Sequence, residues 1–138
     1  MWHKVIPEVC RKIEESGVLY HADASSSLYV CGFEFEMDDF DVTVEWGRIK
    51  DVWNLFYKYS PSQISGVNPM QFQFDLSGYK VDVMSYESET GIGPEDEREL
   101  VHFAGQLVWT KKPSFYLNRM RKDHPIRESA LHHFKIDK

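Results

Sequence analysis

Two segments constrain this chain more than any other. They are Asp39-Phe40-Asp41-Val42-Thr43-Val44 and, some forty residues on, Tyr79-Lys80-Val81-Asp82-Val83-Met84. In a strand, successive side chains point to opposite faces of the sheet. Read that way, Asp39 and Asp41 share one face, while Phe40 and Val42 share the other and can enter a core. Asp82 sits between Val81 and Val83 in a second β-branched run. If the two strands are neighbours, three carboxylates meet on one face of a sheet. Carboxylates held together repel one another unless a hard cation such as Mg²⁺ lies among them. Such a cluster suits phosphoryl or nucleotidyl transfer, in which metal ions clamp phosphate oxygens during an in-line displacement. The competing reading is an Asp-x-Asp pair at a solvated strand end.

The remaining composition allows such a sheet to be built. A chain of 138 residues is the size of one ordinary domain. With 42% hydrophobic and 14% aromatic residues it has the material for a core and is not a disordered chain. The net charge of −6 disfavours broad, nonspecific binding to nucleic acid or anionic membranes. Cys10 and Cys31 offer neither a disulfide framework nor zinc spacing, so a reducing cytoplasm is the expected location. Cys31 lies in an apolar stretch and reads as core, not as a nucleophile. No signal-like apolar run opens the chain, and no segment has the apolar length of a membrane span.

Periodicity places the other elements. Pro7 to Ser16 reads as a helix with Val5, Ile6, Val9 and Ile13 on its apolar stripe, stopped at Ser16-Gly17. Val18-Leu19-Tyr20 reads as a short strand. The polar Asp23–Ser27 turn then leads into a short apolar helix that Gly32 closes. After a loop at Phe33–Glu36, a strand spans Phe40–Trp46. An amphipathic helix covers Ile49–Tyr59, with Ile49, Val52, Trp53, Phe56 and Tyr57 on one side. Gln71–Leu76 and Tyr79–Tyr86 form a hairpin around Ser77-Gly78. The glycine-rich, acidic Glu87–Glu99 is expected to be a mobile loop, and His102–Trp109 to hold one final short strand. A helix is expected from Lys112-Pro113-Ser114 to about Lys122, and another from Pro125 to the C-terminus. The expected fold class is therefore α/β (α+β), a small mixed sheet flanked by helices, in a single domain over 1–138. Its core spans about 5–109 and a short helical tail about 110–138.

The order of these motifs resembles a known family. Asp23-Ala24-Ser25-Ser26-Ser27-Leu28-Tyr29-Val30-Cys31-Gly32, then Asp39-Phe40-Asp41-Val42, then Lys80-Val81-Asp82-Val83, resembles the DNA polymerase β-like nucleotidyltransferase superfamily, and most of all its small stand-alone members. Their pattern is a Gly-Ser turn opening a short helix, a glycine, an Asp-x-Asp strand and a third carboxylate on a later strand. The basic stretch Trp109–Leu117, followed by Arg121-Lys122-Asp123-His124, resembles the helical tail common there. The resemblance covers Val18–Tyr86 well and the tail loosely.

The resemblance implies a Mg²⁺-dependent nucleotidyltransferase that moves a nucleoside monophosphate from a nucleoside triphosphate to a hydroxyl acceptor. Asp39 and Asp41 would bind the metal. Asp82 would be the third carboxylate, as a second metal ligand or as the base for the acceptor hydroxyl. Ser25, with Ser26, would contact the triphosphate at a helix start. The acceptor, whether small molecule, protein or RNA, is not specified. The tail is too short for a full acceptor-binding domain, which makes a site shared within a homodimer one arrangement. The chain departs from the pattern at Ala24, where the family has glycine, and at Asp23 beside it. Alanine narrows the approach of backbone to phosphate, and Asp23 adds negative charge at an anion site. Both fit the alternative of a catalytically degenerate, antitoxin-like protein that binds a nucleotide or a protein partner.

Other candidates have simpler readings. Lys111, Lys112, Arg119, Arg121 and Lys122 read first as a solvated basic helix face. His124, His132 and His133 read as surface or partly buried residues, and His21 reads as packing or a substrate contact. Trp46, Trp53, Phe56 and Tyr57 read as core. Asp75 is a spare carboxylate and a weaker alternative to Asp82.

Overall fold

The alternating segments do form strands, and the strands do pair. The computed structural model describes residues 1–136. In chain order the elements are α1 (Trp2–Ser16), β1 (Tyr20–Ala22), α2 (Ser25–Val30), β2 (Asp39–Val44), α3 (Ile49–Leu55), β3 (Met70–Leu76), β4 (Tyr79–Ser85), β5 (Glu99–Phe103), β6 (Gln106–Thr110), α4 (Pro113–Leu117) and α5 (Arg127–His133). Short 3₁₀ turns occupy Tyr57–Tyr59 and Ser88–Thr90. The strands make one six-stranded mixed sheet in the order β3-β4-β2-β1-β6-β5. β2 is parallel to β4 and β1 is parallel to β6; the other neighbours are antiparallel.

One face of this sheet makes the main core. Phe40, Val42 and Val44 of β2, Val81 and Val83 of β4, and Phe72 and Phe74 of β3 are buried there. They pack against Val5, Ile6, Val9 and Ile13 of α1 and Ile49 and Val52 of α3. Full burial of such a side chain is worth roughly 1.5–3 kcal/mol, which is why the period-2 and period-3.6 patterns dictate these elements. β3 and β4 turn through Ser77 and Gly78, at φ of 53° and 83°, the positive values that two-residue hairpin loops require. A second, smaller cluster holds the tail. Leu28 of α2 packs with Leu117, Met120, Ala130 and Leu131.

Several sequence expectations are corrected. α1 begins at Trp2, not Pro7, and carries Pro7 inside it, where one ladder hydrogen bond is lost. Its C-terminal Gly17, at φ 82°, returns its N–H to Glu14 O at 3.1 Å, as anticipated. β1 starts at Tyr20, where pairing with Val44 begins. The single strand expected over His102–Trp109 is two strands, joined by a turn at Ala104-Gly105 with φ of 50° and 82°. α4 ends at Leu117, well short of Lys122. The second tail helix starts at Arg127 and ends at His133; its expected run to the C-terminus reaches residues 137 and 138, which lie outside the described residues.

Trp46 and Tyr57 are not core: they are 37% and 65% exposed. Trp46 lies past the end of β2, and Tyr57 falls in the 3₁₀ turn after α3 has ended. Phe56 is fully buried, as expected. Lys111 does not belong to a solvated basic face. It is 2% exposed, and its Nζ donates to Gly93 O and Glu97 O, both at 2.9 Å. The acidic loop expected to be mobile is thereby pinned, and Trp46 N–H adds a bond to Glu95 Oε2 at 2.8 Å. No helix among the described residues is long and apolar enough to cross a membrane.

Candidate functional site

The parallel pairing of β2 with β4 puts Asp41 directly opposite Asp82, and Asp39 opposite Lys80. The alternation that buries Phe40 and Val42 on one face turns Asp39, Asp41 and Asp82 to the other. One carboxylate oxygen from each of these three lies within 4.8 Å of the other two. It is the one group of three or more metal-capable side chains among the described residues. Asp75 is not part of it, for β3 pairs it with Lys80.

The site is electrostatically tense. Burial pushes the Asp41 carboxyl up to about 8, with Asp39, Asp82 and Asp23 adding to the shift. Burial and then Asp39 push Asp82 up to about 6, against the opposing pull of Lys80. Three half-buried acids that cannot all ionise comfortably form an oxygen-donor set suited to a hard divalent cation. The donors present fit such an ion by chemistry and spacing.

The turn before α2 is held against this cluster. Asp23 N–H donates to Asp41 O at 2.9 Å. The Asp23 side chain turns inward, where Oδ1 accepts Ala24 N–H and Oδ2 accepts the Thr43 hydroxyl, each at 2.7 Å. Its charge is therefore hydrogen-bonded on the protein side, although Asp41 still feels it. Ala24 sits at φ 51°, ψ −141°, a left-handed-side conformation that glycine adopts freely and alanine does not. The backbone here takes a geometry suited to glycine with an alanine in it.

The two serines are placed differently. Ser26 is fully buried, and its hydroxyl accepts Asp41 N–H at 2.9 Å while facing Met37 Sδ at 3.7 Å. What it offers the site is the position of Asp41. Ser26 N–H goes to Asp23 O and Ser27 N–H to Ala24 O. Ser25 is half-buried, and neither its N–H nor its hydroxyl has a partner among the described residues. Beside it a cavity of about 260 Å³ is lined by Phe35, Asp39, His124, Pro125 and Ile126.

His21 is packing. It is fully buried, with Nδ1 2.8 Å from Ala22 O and Nε2 2.7 Å from Ile92 O. Burial lowers its pKa against the pull of Asp23. The neutral ring has one N–H, so one of these two approaches is a hydrogen bond. Burial raises the Cys31 thiol to about 11, which removes it as a nucleophile at neutral pH. His132 and His133 are exposed, as anticipated.

Sequence reading missed Tyr86, Tyr116 and Lys80. Both tyrosines are half-buried and feel Asp41 and Asp23, which help raise their pKa after burial itself. Tyr86 was legible in principle, since it continues the alternation of Asp82 and Met84. Nothing in the sequence marks Tyr116, because α4 reaches the site through tertiary packing on α2.

No family model matches the sequence, and no curated protein matches it. Solved structures do. A presumed nucleotidyltransferase from Thermotoga maritima superposes with a TM-score of 0.70 at 14% identity, covering 97% of this chain and 88% of that one. The structure of ANT(2″)-Ia in complex with adenylyl-2″-tobramycin gives 0.66 at 12% identity, covering 96% and 88%. The lincosamide antibiotic adenylyltransferase LnuA, with lincomycin bound, gives 0.72 at 10% identity, covering 96% and 95%. At such identities the agreement is one of architecture, and the architecture is unambiguous: this small chain has the nucleotidyltransferase fold.

Proposed function

We propose that the chain is a Mg²⁺-dependent nucleotidyltransferase that moves a nucleoside monophosphate from a nucleoside triphosphate to a hydroxyl acceptor. The observation that carries this reading is the convergence of Asp39, Asp41 and Asp82, two of them with raised pKa, on the open face of a sheet of this fold. Asp39, Asp41 and Asp82 hold the metal, which when bound neutralises triphosphate oxygens. Ser25 contacts the triphosphate through its open N–H and hydroxyl. Ser26 acts from behind, fixing the Asp41 backbone. Asp82 serves as the third carboxylate, either as a metal ligand or as the base that accepts the proton of the acceptor hydroxyl. Adenylyl transfer, as in the neighbours' names, is the form of the reaction to test first.

The test is calorimetric titration with ATP, CTP, GTP and UTP, with and without Mg²⁺, beside Asp39→Asn and Asp41→Asn. Binding that needs Mg²⁺ and disappears in both variants supports the reading. Full nucleotidyl transfer by either variant would sink the mechanism. One observation favours a second reading, that of a nucleotide- or protein-binding protein without turnover: Ala24 N–H, a natural phosphate donor, is taken by Asp23. It predicts nucleotide binding with no pyrophosphate release.

A further inference from the structure

The chain covers one edge of its sheet and leaves the other open. Along the outer edge of β3, Ser62 N–H donates to Gln73 O at 2.8 Å and Gln73 N–H donates to Ser62 Oγ at 2.9 Å. Ser65 and Gln71 exchange backbone bonds of 2.9 and 2.8 Å beside them. The outer edge of β5 has no such cover. The tight turn at Ala104-Gly105 makes Phe103 and Gln106 a hydrogen-bonded pair, and such pairs alternate with unbonded ones along an antiparallel ladder. Glu99, Val101 and Phe103 therefore bond to β6, while Leu100 and His102 aim N–H and C=O away from the sheet. Neither outward backbone has a partner among the described residues. The usual guards of a free edge are missing too, for Glu99–Phe103 holds no proline, no lysine and no bulge. Apolar surface flanks it instead: Leu100 and Leu107 are each 45% exposed, on the same face as Trp109.

We propose that β5 pairs with β5 of a second copy of this chain, antiparallel about a two-fold axis at Val101. The strand is five residues long, and this is the centre that keeps its whole length paired. Leu100 then faces His102 of the second copy, and His102 faces its Leu100. These are the residues with free backbone groups, so each pair exchanges both of its N–H···O=C bonds. Val101 meets Val101 of the second copy, a β-branched pair. On the open face, Trp109 and Leu100 continue into His102 and Leu107 of the second copy as one row, so the exposed leucines of both copies gather at the seam. On the opposite face, Glu99 comes against Phe103 of the second copy, on whose ring His3 stacks at 5.0 Å between centroids. An acid is thereby brought to an imidazole and not to the other copy's Glu99. Moving the axis by one residue sets Leu100 on Leu100 or His102 on His102 and leaves strand ends unpaired. β6 and β1 lie between β5 and β2, so each copy keeps its own three carboxylates and the site is not shared.

The experiment is sedimentation equilibrium on the full chain over a dilution series, with amide hydrogen exchange measured at both ends of the series. A monomer–dimer equilibrium is expected. In the dimer the Leu100 and His102 amides should exchange about tenfold or more slowly than in the dilute monomer. The Glu99, Val101 and Phe103 amides, bonded to β6, should be protected in both. His102→Pro removes an outward donor and no bond to β6, and Leu100→Lys puts a charge on the edge; each should weaken self-association by about tenfold or more. Val67→Lys, at an apolar side chain that is 78% exposed far along the chain, should leave it unchanged. Circular dichroism shows that each variant folds, and the exchange pattern of the unaltered chain tests the pairing without any variant. Three results overturn it: a chain that stays monomeric at every concentration, including one whose β5 edge takes a foreign strand instead; a dimer whose Leu100 and His102 amides exchange as in the monomer; or edge variants that associate as the parent does.

Discussion

The two faces of β2 and β4 are made by the same backbone and do opposite things. On one face Phe40, Val42, Val81 and Val83 have no exposed surface and favour folding. On the other, Asp41 and Asp82 are carboxylates that the fold makes harder to ionise than water does. A mutation moved by one residue along the strand should therefore change sign. The acidic face costs the fold stability, as expected of groups arranged for binding and not for packing.

The largest test of this contrast is Val83→Asp, which puts an unpaired charge into the core one residue from a native aspartate. It should cost more than about 4 kcal/mol and leave no cooperative transition by circular dichroism. Phe40→Ala, between Asp39 and Asp41, should cost about 3–5 kcal/mol in denaturant unfolding. Asp41→Asn should instead raise the melting temperature of metal-free protein at pH 8; a clear fall would erase the contrast between the faces. The sign follows from linkage. Asp41 titrates at about 8 folded against the ordinary 3.8, so the folded chain holds the extra proton between those values. Stability from this group is present at low pH, declines as pH rises through that window, and levels off above about 8. Mg²⁺ should accordingly raise the melting temperature more at pH 8 than at pH 5, and should do so little in Asp41→Asn. The smallest effect is expected at Ala24→Gly, which relieves the left-handed strain. It should stabilise by about 1 kcal/mol or less, because glycine's freedom in the unfolded chain offsets part of the gain.

The same alternation explains what could be read in advance. β2, β3 and β4 carry strict period-2 patterns because one face of each is buried, so the strands and the shared face of Asp39, Asp41 and Asp82 were visible in the residues. The β5–β6 hairpin was not, because Ala104-Gly105 is a weak turn signal beside Asn-Gly or Asp-Gly. Lys111 was misread for a related reason: its burial depends on two carbonyls of a distant loop, Gly93 O and Glu97 O, and no local pattern encodes them. Likewise, Ser25 and Ser26 are adjacent serines in sequence, and only the packing of α2 on β2 decides that one faces outward and the other holds a strand.

The parallel pairing of β2 with β4 has a consequence for how the site comes into being. Asp39 and Asp41 are neighbours in any conformation of the chain, but Asp82 is 41 residues beyond Asp41. Bringing it alongside requires closing a long loop, the slow, entropically opposed class of folding event. Until β4 has zipped onto β2 the chain owns only two of its three ligands. A divalent ion that needs all three would then report on the last stage of assembly, slowing unfolding without hastening the initial collapse.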